Sequence, residues 1–271
     1  MLLLLTQPES GNALFTAVDI GLPVLTPSGS EFQISLLQNW LKVCDERHYD
    51  HGCDQKEEKI LPKRVLDVGV TNTPENLRLR ITTSGEKGRY MALSHRWGSG
   101  KPIRTTTHNL DLFRQNINFT ELTKTFQDAV TITRKLGLRY LWIDSLCIIQ
   151  EGDGMRDWEE QSQLMEGIFA SAYCTIAATN TVDPSQGFLG PRLGKRFIKL
   201  PTPVPLYVSK LRAGFSEDVE QGELNKRAWV LQERALSPRI IHFVNNGPAY
   251  WECGSVIRDE HLFQTVRYVG V

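Results

Sequence analysis

Glu233 is the first residue whose sequence surroundings suggest chemistry. It follows Trp229 by four positions in a segment, 227–236, whose apolar spacing predicts a helix. Residues four apart share a helix face, so Glu233 is expected on a face lined by an aromatic ring. A carboxylate there is partly desolvated unless it is paired, and desolvation perturbs a carboxyl pKa. The alternative is an ion pair that only holds the helix in place, with one of three arginines: Arg227, Arg234 or Arg239.

A second carboxylate, Asp144, interrupts an apolar run over 138–149 that predicts a buried strand. Strands buried on both faces are normally free of charge, so Asp144 needs a specific role. It could bind the hydroxyls of a ribose, or it could cap a neighbouring loop or helix N-terminus. Both interpretations stay open.

A basic, glycine-containing loop follows the strand predicted over 90–94. Its residues are Arg96, Gly98, Gly100, Lys101 and Arg104. Such a loop could cradle a pyrophosphate with its backbone N–H groups and its cations. It is not a P-loop, because His95 stands where the first glycine belongs and Pro102 follows the lysine. Trp97 in the loop and Trp142 in the next strand are expected in the core rather than as stacking platforms.

Cys147, which follows Asp144 by three positions, could act as a nucleophile with His95. Neither residue comes with a recognisable nucleophile elbow or partner, and buried structural cysteine is the favoured interpretation.

A group of cysteines and histidines near the N-terminus has the residue types of a zinc site. Cys44, His48, His51 and Cys53 lie at local spacings compatible with zinc, and Cys253 could add a distant ligand. The group lacks the Cys-x2-Cys pair typical of zinc knuckles, and Cys44 also lies on an apolar helical stripe where a small hydrophobic residue is expected. No metal is assigned from the sequence, and metal analysis of the purified protein would decide.

Composition excludes several classes of function. The 271 residues contain 31 Lys and Arg against 31 Asp and Glu, which gives a net charge of zero and no electrostatic footprint for nucleic acid or an anionic membrane. No window of about 18 apolar residues is present, so no membrane span is expected. Five scattered cysteines do not indicate a disulfide framework. A soluble protein of the cytoplasm is expected.

The elements that must position these residues alternate between strands and helices. Strands are predicted over 65–70, 77–81, 90–94, 138–149, 173–178, 206–209, 240–244 and 249–252, and helices over 32–47, 121–136, 157–172 and 227–236. Residues 1–31 are expected to be a loosely structured lead-in. The alternation predicts βαβ crossovers and an α/β fold with a mainly parallel sheet covered by helices on both faces. Ligands in such folds bind outside the carboxyl ends of the strands, which selects three loops: 94–98, 144–147 and 179–180.

Three motifs resemble the fungal heterokaryon incompatibility (HET) domain, in the family's order over roughly residues 90–252. They are YMALSHRWG at 90–98, TFQDA at 125–129 with LGLRYLWIDSLCIIQ at 136–150, and RAWVLQERALSPR at 227–239. The chain has His95 where the family commonly shows Tyr. The resemblance implies a role in fungal non-self recognition and regulated cell death.

The HET family in turn resembles TIR domains, which implies a TIR-like, flavodoxin-like parallel sheet. Some TIR domains cleave NAD between nicotinamide and ribose with a glutamate in a Trp-x-x-x-Glu pattern, which residues 229–233 match. The resemblance therefore implies Glu233 as the catalytic residue and NAD as substrate, with no cofactor. A carboxylate hydrogen-bonded to ribose hydroxyls could stabilise the oxocarbenium-like state of that cleavage. The residues expected to bind substrate are Ser94, Arg96, Trp97, Asp144 and Trp229.

Two functions from different classes are therefore expected. One is an NAD glycohydrolase, and the other is a signalling or scaffold domain that causes cell death through oligomerisation or partner binding. Homo-oligomers are expected under both, and a sensor or signalling protein is an expected partner. Residues 90–271 are expected to form the HET core, with residues 1–89 as an N-terminal extension packed on it.

Overall fold

The chain folds around a nine-stranded mixed β-sheet in the computed structural model. The structure describes residues 2–6, 19–20, 25–48, 53, 57–69, 77–98, 103–181, 183, 185–192, 197–203, 206–210, 214–261 and 264–266. From one edge to the other, the strands of this sheet are β17 (Gln264–Val266), β16 (Val256–Asp259), β15 (Ala249–Cys253), β14 (Arg239–Phe243), β11 (Cys174–Ala178), β7 (Tyr90–Ser94), β9 (Tyr140–Trp142), β4 (Arg64–Asp67) and β5 (Arg78–Ile81).

The expectation of a mainly parallel sheet is not met. Only β14, β11, β7 and β9 run parallel to one another, and the pairings on either side of this block are antiparallel. The physical reason lies in the connections, because parallel neighbours need a long crossover whereas a tight turn makes a hairpin. Between β14 and β15 the chain turns at Asn246-Gly247, a typical hairpin dipeptide, and Asn246 has a φ of 56°.

The helices alternate with the strands, as an α/β fold requires. They are α1 (Glu31–Arg47), α2 (Leu110–Gln115), α3 (Lys124–Lys135), α4 (Asp144–Cys147), α5 (Arg156–Ser162), α6 (Met165–Ser171) and α7 (Ala228–Leu236). No helix among the described residues is long and apolar enough to cross a membrane.

Two segments that the sequence predicts as one long element each are divided in the structure. The predicted strand over 138–149 is divided into β9, the single turn α4 and the short strand β10 (Ile149–Glu151). The predicted helix over 157–172 is divided into α5 and α6 around a turn at 163–164. In both cases an apolar pattern continues through a turn, because buried turns carry apolar side chains too.

The N-terminal section takes part in the same structure. Helix α1 buries Leu37, Trp40 and Leu41, and the Trp40 ring lies 6.5 Å from the Trp251 ring of β15. β4 and β5 continue the large sheet beyond β9.

The loosely structured lead-in predicted over residues 1–31 contains strands where the structure describes it, while residues 1, 7–18 and 21–24 lie outside the described residues. β1 (Leu2–Thr6) pairs with β13 (Leu206–Lys210) in a second sheet, which β2 (Asp19–Ile20) and β12 (Phe197–Leu200) complete. Two small sheets complete the description: β8 (Thr105–Thr106) with β10, and β3 (Lys59–Ile60) with β6 (Lys87–Gly88).

Candidate functional site

The parallel register of β7 and β9 brings the first two candidate residues together. Ala92 of β7 lies opposite Trp142 of β9. Two residues further along the chain are Ser94, the last residue of β7, and Asp144, the first residue of α4, so both lie at the carboxyl edge of the parallel block. This edge is the one that the sequence selects, and it corresponds to the usual position of ligands in α/β sheets.

Helix α7 brings Glu233 to the same edge. Its Val230 is buried against Ala177 of β11 and Ile240 of β14, which seats the helix on the parallel block. Glu233 lies three residues after Val230 and therefore faces the same way. The hydroxyl of Ser94 donates a hydrogen bond to the Glu233 carboxylate. The strand end and the helix thus meet at a half-buried carboxylate.

Burial raises the pKa of Glu233 to about 7. The negative charge of Asp144 acts in the same direction, while the Ser94 hydrogen bond and the positive charge of Arg227 oppose the shift. A carboxyl group with this pKa is partly protonated at neutral pH. Such a shift by burial is typical of functional carboxylates in clefts.

The alternative role of Glu233 in an ion pair is not realised in the described part of the chain. Arg234 binds Glu252 through two hydrogen bonds of 2.9 Å, and Arg239 binds Asp45 at 2.6 Å. Arg227 donates to the backbone carbonyl of His95 at 3.2 Å. Each of the three arginines therefore has another partner.

Asp144 joins the loop after β7 to the turn after β9. The indole N–H of Trp97 donates to one carboxylate oxygen at 2.7 Å, and the backbone N–H of Ser145 donates to the other at 2.7 Å. The second contact satisfies an N–H in the first turn of α4, although Ile143 and not Asp144 is the N-cap of that helix. The first contact explains the half-buried position of Trp97, which the sequence favours as a core residue.

His95 is a member of this cluster that the sequence prediction leaves out of the site. Its side chain is buried, with its ring 5.0 Å from the Phe126 ring, and burial lowers its pKa, so the imidazole is neutral. Its Nε2 atom has no hydrogen-bond partner within the described ranges and lies 3.9 Å from an oxygen of Asp144. That separation is too long for a direct hydrogen bond but suits a bridging water or hydroxyl group. The signal in the sequence is its place between Ser94 and Arg96.

Two predicted substrate-binding residues lie apart from these contacts. Arg96 pairs with Glu223 at 3.2 Å. Trp229 is 64% exposed, so it does not form the apolar wall that the sequence predicts around Glu233. Gly100 and Lys101 of the basic loop lie outside the described residues.

Two other groups of residues that the sequence brings into consideration have different outcomes. Burial raises the pKa of Cys147 to about 12, so its thiol is not a nucleophile at neutral pH. Of the zinc candidates, Cys44, His48, Cys53 and Cys253 lie together, away from the Glu233 cluster, and His51 lies outside the described residues. All five cysteines are buried thiols.

The fold and site define an α/β domain with a cluster of polar side chains at the carboxyl ends of its parallel strands. The family model for "Heterokaryon incompatibility protein (HET)" matches residues 90–233, more than half of the chain, and the chain belongs to this family. The family points to a role in fungal heterokaryon incompatibility and its cell death. No curated protein and no solved structure matches the chain.

Proposed function

We propose that this HET protein is a TIR-like NAD glycohydrolase with Glu233 as its catalytic carboxylate. One observation carries the proposal: the Glu233 carboxylate receives a hydrogen bond from Ser94 at the ligand-binding edge of a parallel block, where no arginine among the described residues neutralises it in an ion pair. A carboxylate that only stabilised the fold would be expected to have a cationic partner.

The proposed reaction breaks the bond between the nicotinamide nitrogen and the ribose carbon. The electron pair leaves with nicotinamide, and the ribose ring develops positive charge. Glu233 in its ionised form stabilises that charge through the ribose hydroxyls. Water then adds to the ribose carbon and loses a proton, so NAD and water give nicotinamide, ADP-ribose and one proton.

The neighbouring residues supply the remaining functions in this proposal. The nearest polar atoms of Asp144 and His95 are 3.9 Å apart, so a hydroxyl group or water beside the pair could bond to both. The side chain of Arg96 is 32% exposed beyond its contact with Glu223 and can turn towards a pyrophosphate. Trp229 offers an exposed ring for stacking. We propose that this reaction takes place in the cytoplasm.

The test is release of nicotinamide from NAD by purified protein, both dilute and concentrated enough to assemble. Wild type should release nicotinamide, and Glu233→Gln should reduce the rate by about 100-fold or more, because it removes the charge and keeps the shape. Glu217→Gln is the matched control, since Glu217 is exposed. No release from wild type in any state of assembly would reject the proposal, and equal rates would remove Glu233 from the mechanism.

A second function, assembly without catalysis, is favoured by a separate observation. Trp229 and Leu231 of α7 are 64% and 68% exposed, so the helix presents a large apolar side chain on each side of its buried Val230. Such side chains are suited to contact another protein surface.

Cell killing in a fungal host separates the two functions. If assembly alone acts, Leu231→Glu abolishes killing and Glu233→Gln does not. Leu112→Glu is the matched control, because Leu112 is 62% exposed on α2. If catalysis acts, Glu233→Gln protects the cells, whatever the effect of Leu231→Glu.

A further inference from the structure

Four potential metal ligands converge where helix α1 meets strand β15. Cys44 lies in the last turn of α1 and His48 is its C-terminal cap. Cys253 is the last residue of β15, and Cys53 lies in the segment after the helix. The three cysteines are almost completely buried, and one ligand atom from each of the four residues lies within 4.8 Å of the others.

The spacing of these atoms is compatible with a tetrahedral zinc site. Bonds of about 2.3 Å to sulfur and about 2.0 Å to nitrogen place the ligand atoms of a tetrahedron about 3.5–3.8 Å apart. The sulfur of Cys253 lies 3.5 Å from Nδ1 of His48, and it also contacts the sulfurs of Cys44 and Cys53. Packing of apolar side chains alone does not require four such atoms to point at one another.

Hydrogen-bond donors approach two of the sulfurs in the cluster. Backbone N–H groups of Gly254 and Ser255 donate to the sulfurs of Cys53 and Cys253, respectively, and the Trp251 side chain also donates to Cys253. Donors of this kind commonly surround metal-bound thiolates and orient them.

Two arginines, the buried Arg239 and the half-buried Arg258, supply positive charge beside the cluster. Arg239 is fully buried and donates to the backbone carbonyl of Cys53 at 2.6 Å. Arg258 interacts with the charges of Cys253 and Cys44. Each arginine keeps a buried Nε atom without a hydrogen-bond partner in the part of the chain that the structure describes. Zn²⁺ with three thiolates and a neutral histidine carries one net negative charge. The positive guanidinium groups of Arg239 and Arg258 would stabilise that charge.

We propose that Cys44, His48, Cys53 and Cys253 form a structural zinc site. Four protein ligands close the coordination shell, so the site is structural rather than catalytic. All four ligands lie outside the segment that the family model matches, residues 90–233. The metal fastens the segment that contains α1 to the C-terminal strands of the large sheet. This inference is independent of the proposed NAD chemistry.

The experiment measures the metal content of the purified wild-type protein and of Cys253→Ser. Wild type should contain about one zinc ion per chain, and Cys253→Ser should lose most of it. Cys147→Ala is the matched control, because Cys147 is a buried cysteine outside the cluster, and it should retain the metal. Replacing zinc by Co²⁺ in wild type should produce the charge-transfer and ligand-field absorption of tetrahedral cobalt with thiolate ligands.

The cobalt spectrum also keeps the test valid if the variant fails to fold, because it needs only the wild-type chain. Removing zinc with a chelator should lower the thermal midpoint, and Zn²⁺ but not Mg²⁺ should restore it. Wild type without stoichiometric zinc and without a thiolate–cobalt spectrum would overturn the proposal. So would a disulfide between any two of the three cysteines in protein purified under reducing conditions.

Discussion

The hydroxyl of Ser94, the last residue of β7, donates a hydrogen bond to the carboxylate of Glu233 on α7, which lies 139 residues later in the chain. The contact joins the end of a central parallel strand to a helix seated on the same block by Val230. It is the only hydrogen bond to the Glu233 side chain among the contacts of the described residues, and burial of the carboxylate is not offset by an ion pair there. Such an arrangement contributes little to the stability of the fold. In a reaction that develops positive charge, the carboxylate would stabilise the transition state.

The first prediction is that nicotinamide release increases between about pH 6 and pH 8. The pKa of Glu233 is about 7, and only the ionised carboxylate stabilises the positive charge of the transition state. The measurement is kcat/KM for NAD as a function of pH. Because the Ser94 hydrogen bond lowers the pKa of Glu233, Ser94→Ala should shift the midpoint to higher pH. A rate that decreases over this range would show that the protonated form acts.

The second prediction is that Glu233→Gln stabilises the folded protein at alkaline pH. The folded-state pKa of Glu233, about 7, exceeds its ordinary value of 4.5, so folding favours the protonated form. The ionisation of Glu233 therefore does not reduce the free energy of unfolding below about pH 4.5. The reduction reaches its full size above about pH 7. Replacement by the neutral amide should increase the free energy of unfolding by about 2 kcal/mol at pH 8 and much less at pH 5.

The measurement for Glu233→Gln is urea unfolding at both pH values, with Glu217→Gln as an exposed control. A loss of stability at pH 8 would mean that the ionised carboxylate contributes to the fold, which would support the structural role instead.

The position of the site could be predicted from the sequence because it depends on local patterns. The apolar run at 90–94 indicates a buried strand, and the structure has β7 at those residues. The motif around Asp144 marks the next strand end, although the apolar run alone does not show where β9 stops. The rule that ligands bind at the carboxyl ends of parallel strands then selects the edge at which Ser94 meets Glu233 in the structure.

The partners of charged residues could not be predicted, because they depend on the folding of distant segments. Arg234 lies next to Glu233 in the sequence, yet it turns to Glu252 of β15. The same limit applies to Cys253, which approaches His48 only because β15 lies beside α1. The alternation of strands and helices does not indicate the antiparallel outer strands, and Asn246-Gly247 is the local hairpin signal for the β14–β15 pair.

The third prediction concerns Glu252, which anchors the helix that carries Glu233. Burial acts to raise the pKa of Glu252, but hydrogen bonds from His242 and Arg234 outweigh it and lower the pKa to about 2. Since the ordinary value is 4.5, this carboxylate stabilises the fold above about pH 4.5, and the contribution is lost as the pH falls towards 2.

Glu252→Gln should therefore lower the free energy of unfolding at pH 7 by about 3 kcal/mol, because Arg234 loses its buried counter-ion. It should also flatten the dependence of stability on pH between about pH 5 and pH 3. Urea unfolding across this range measures both effects, and Glu217→Gln serves again as the exposed control. An unchanged midpoint at pH 7 would contradict the anchoring role.

The last prediction assigns a structural role to Asp128, a residue of the TFQDA motif. Its carboxylate is buried and accepts hydrogen bonds of 2.8 Å from the backbone N–H groups of Phe188 and Leu189, so it ties a distant loop to α3. Asp128→Ala would leave two N–H groups without an acceptor, at a cost of about 3 kcal/mol in the free energy of unfolding. Gly187→Ala tests the same contact from the loop side: Gly187 has a φ of 67°, and an added Cβ would lie 2.4 Å from the Asp128 carboxylate. Chemical denaturation measures both losses against Asp111→Ala, whose carboxylate is exposed; if neither variant lost more than that control, Asp128 would not hold the loop.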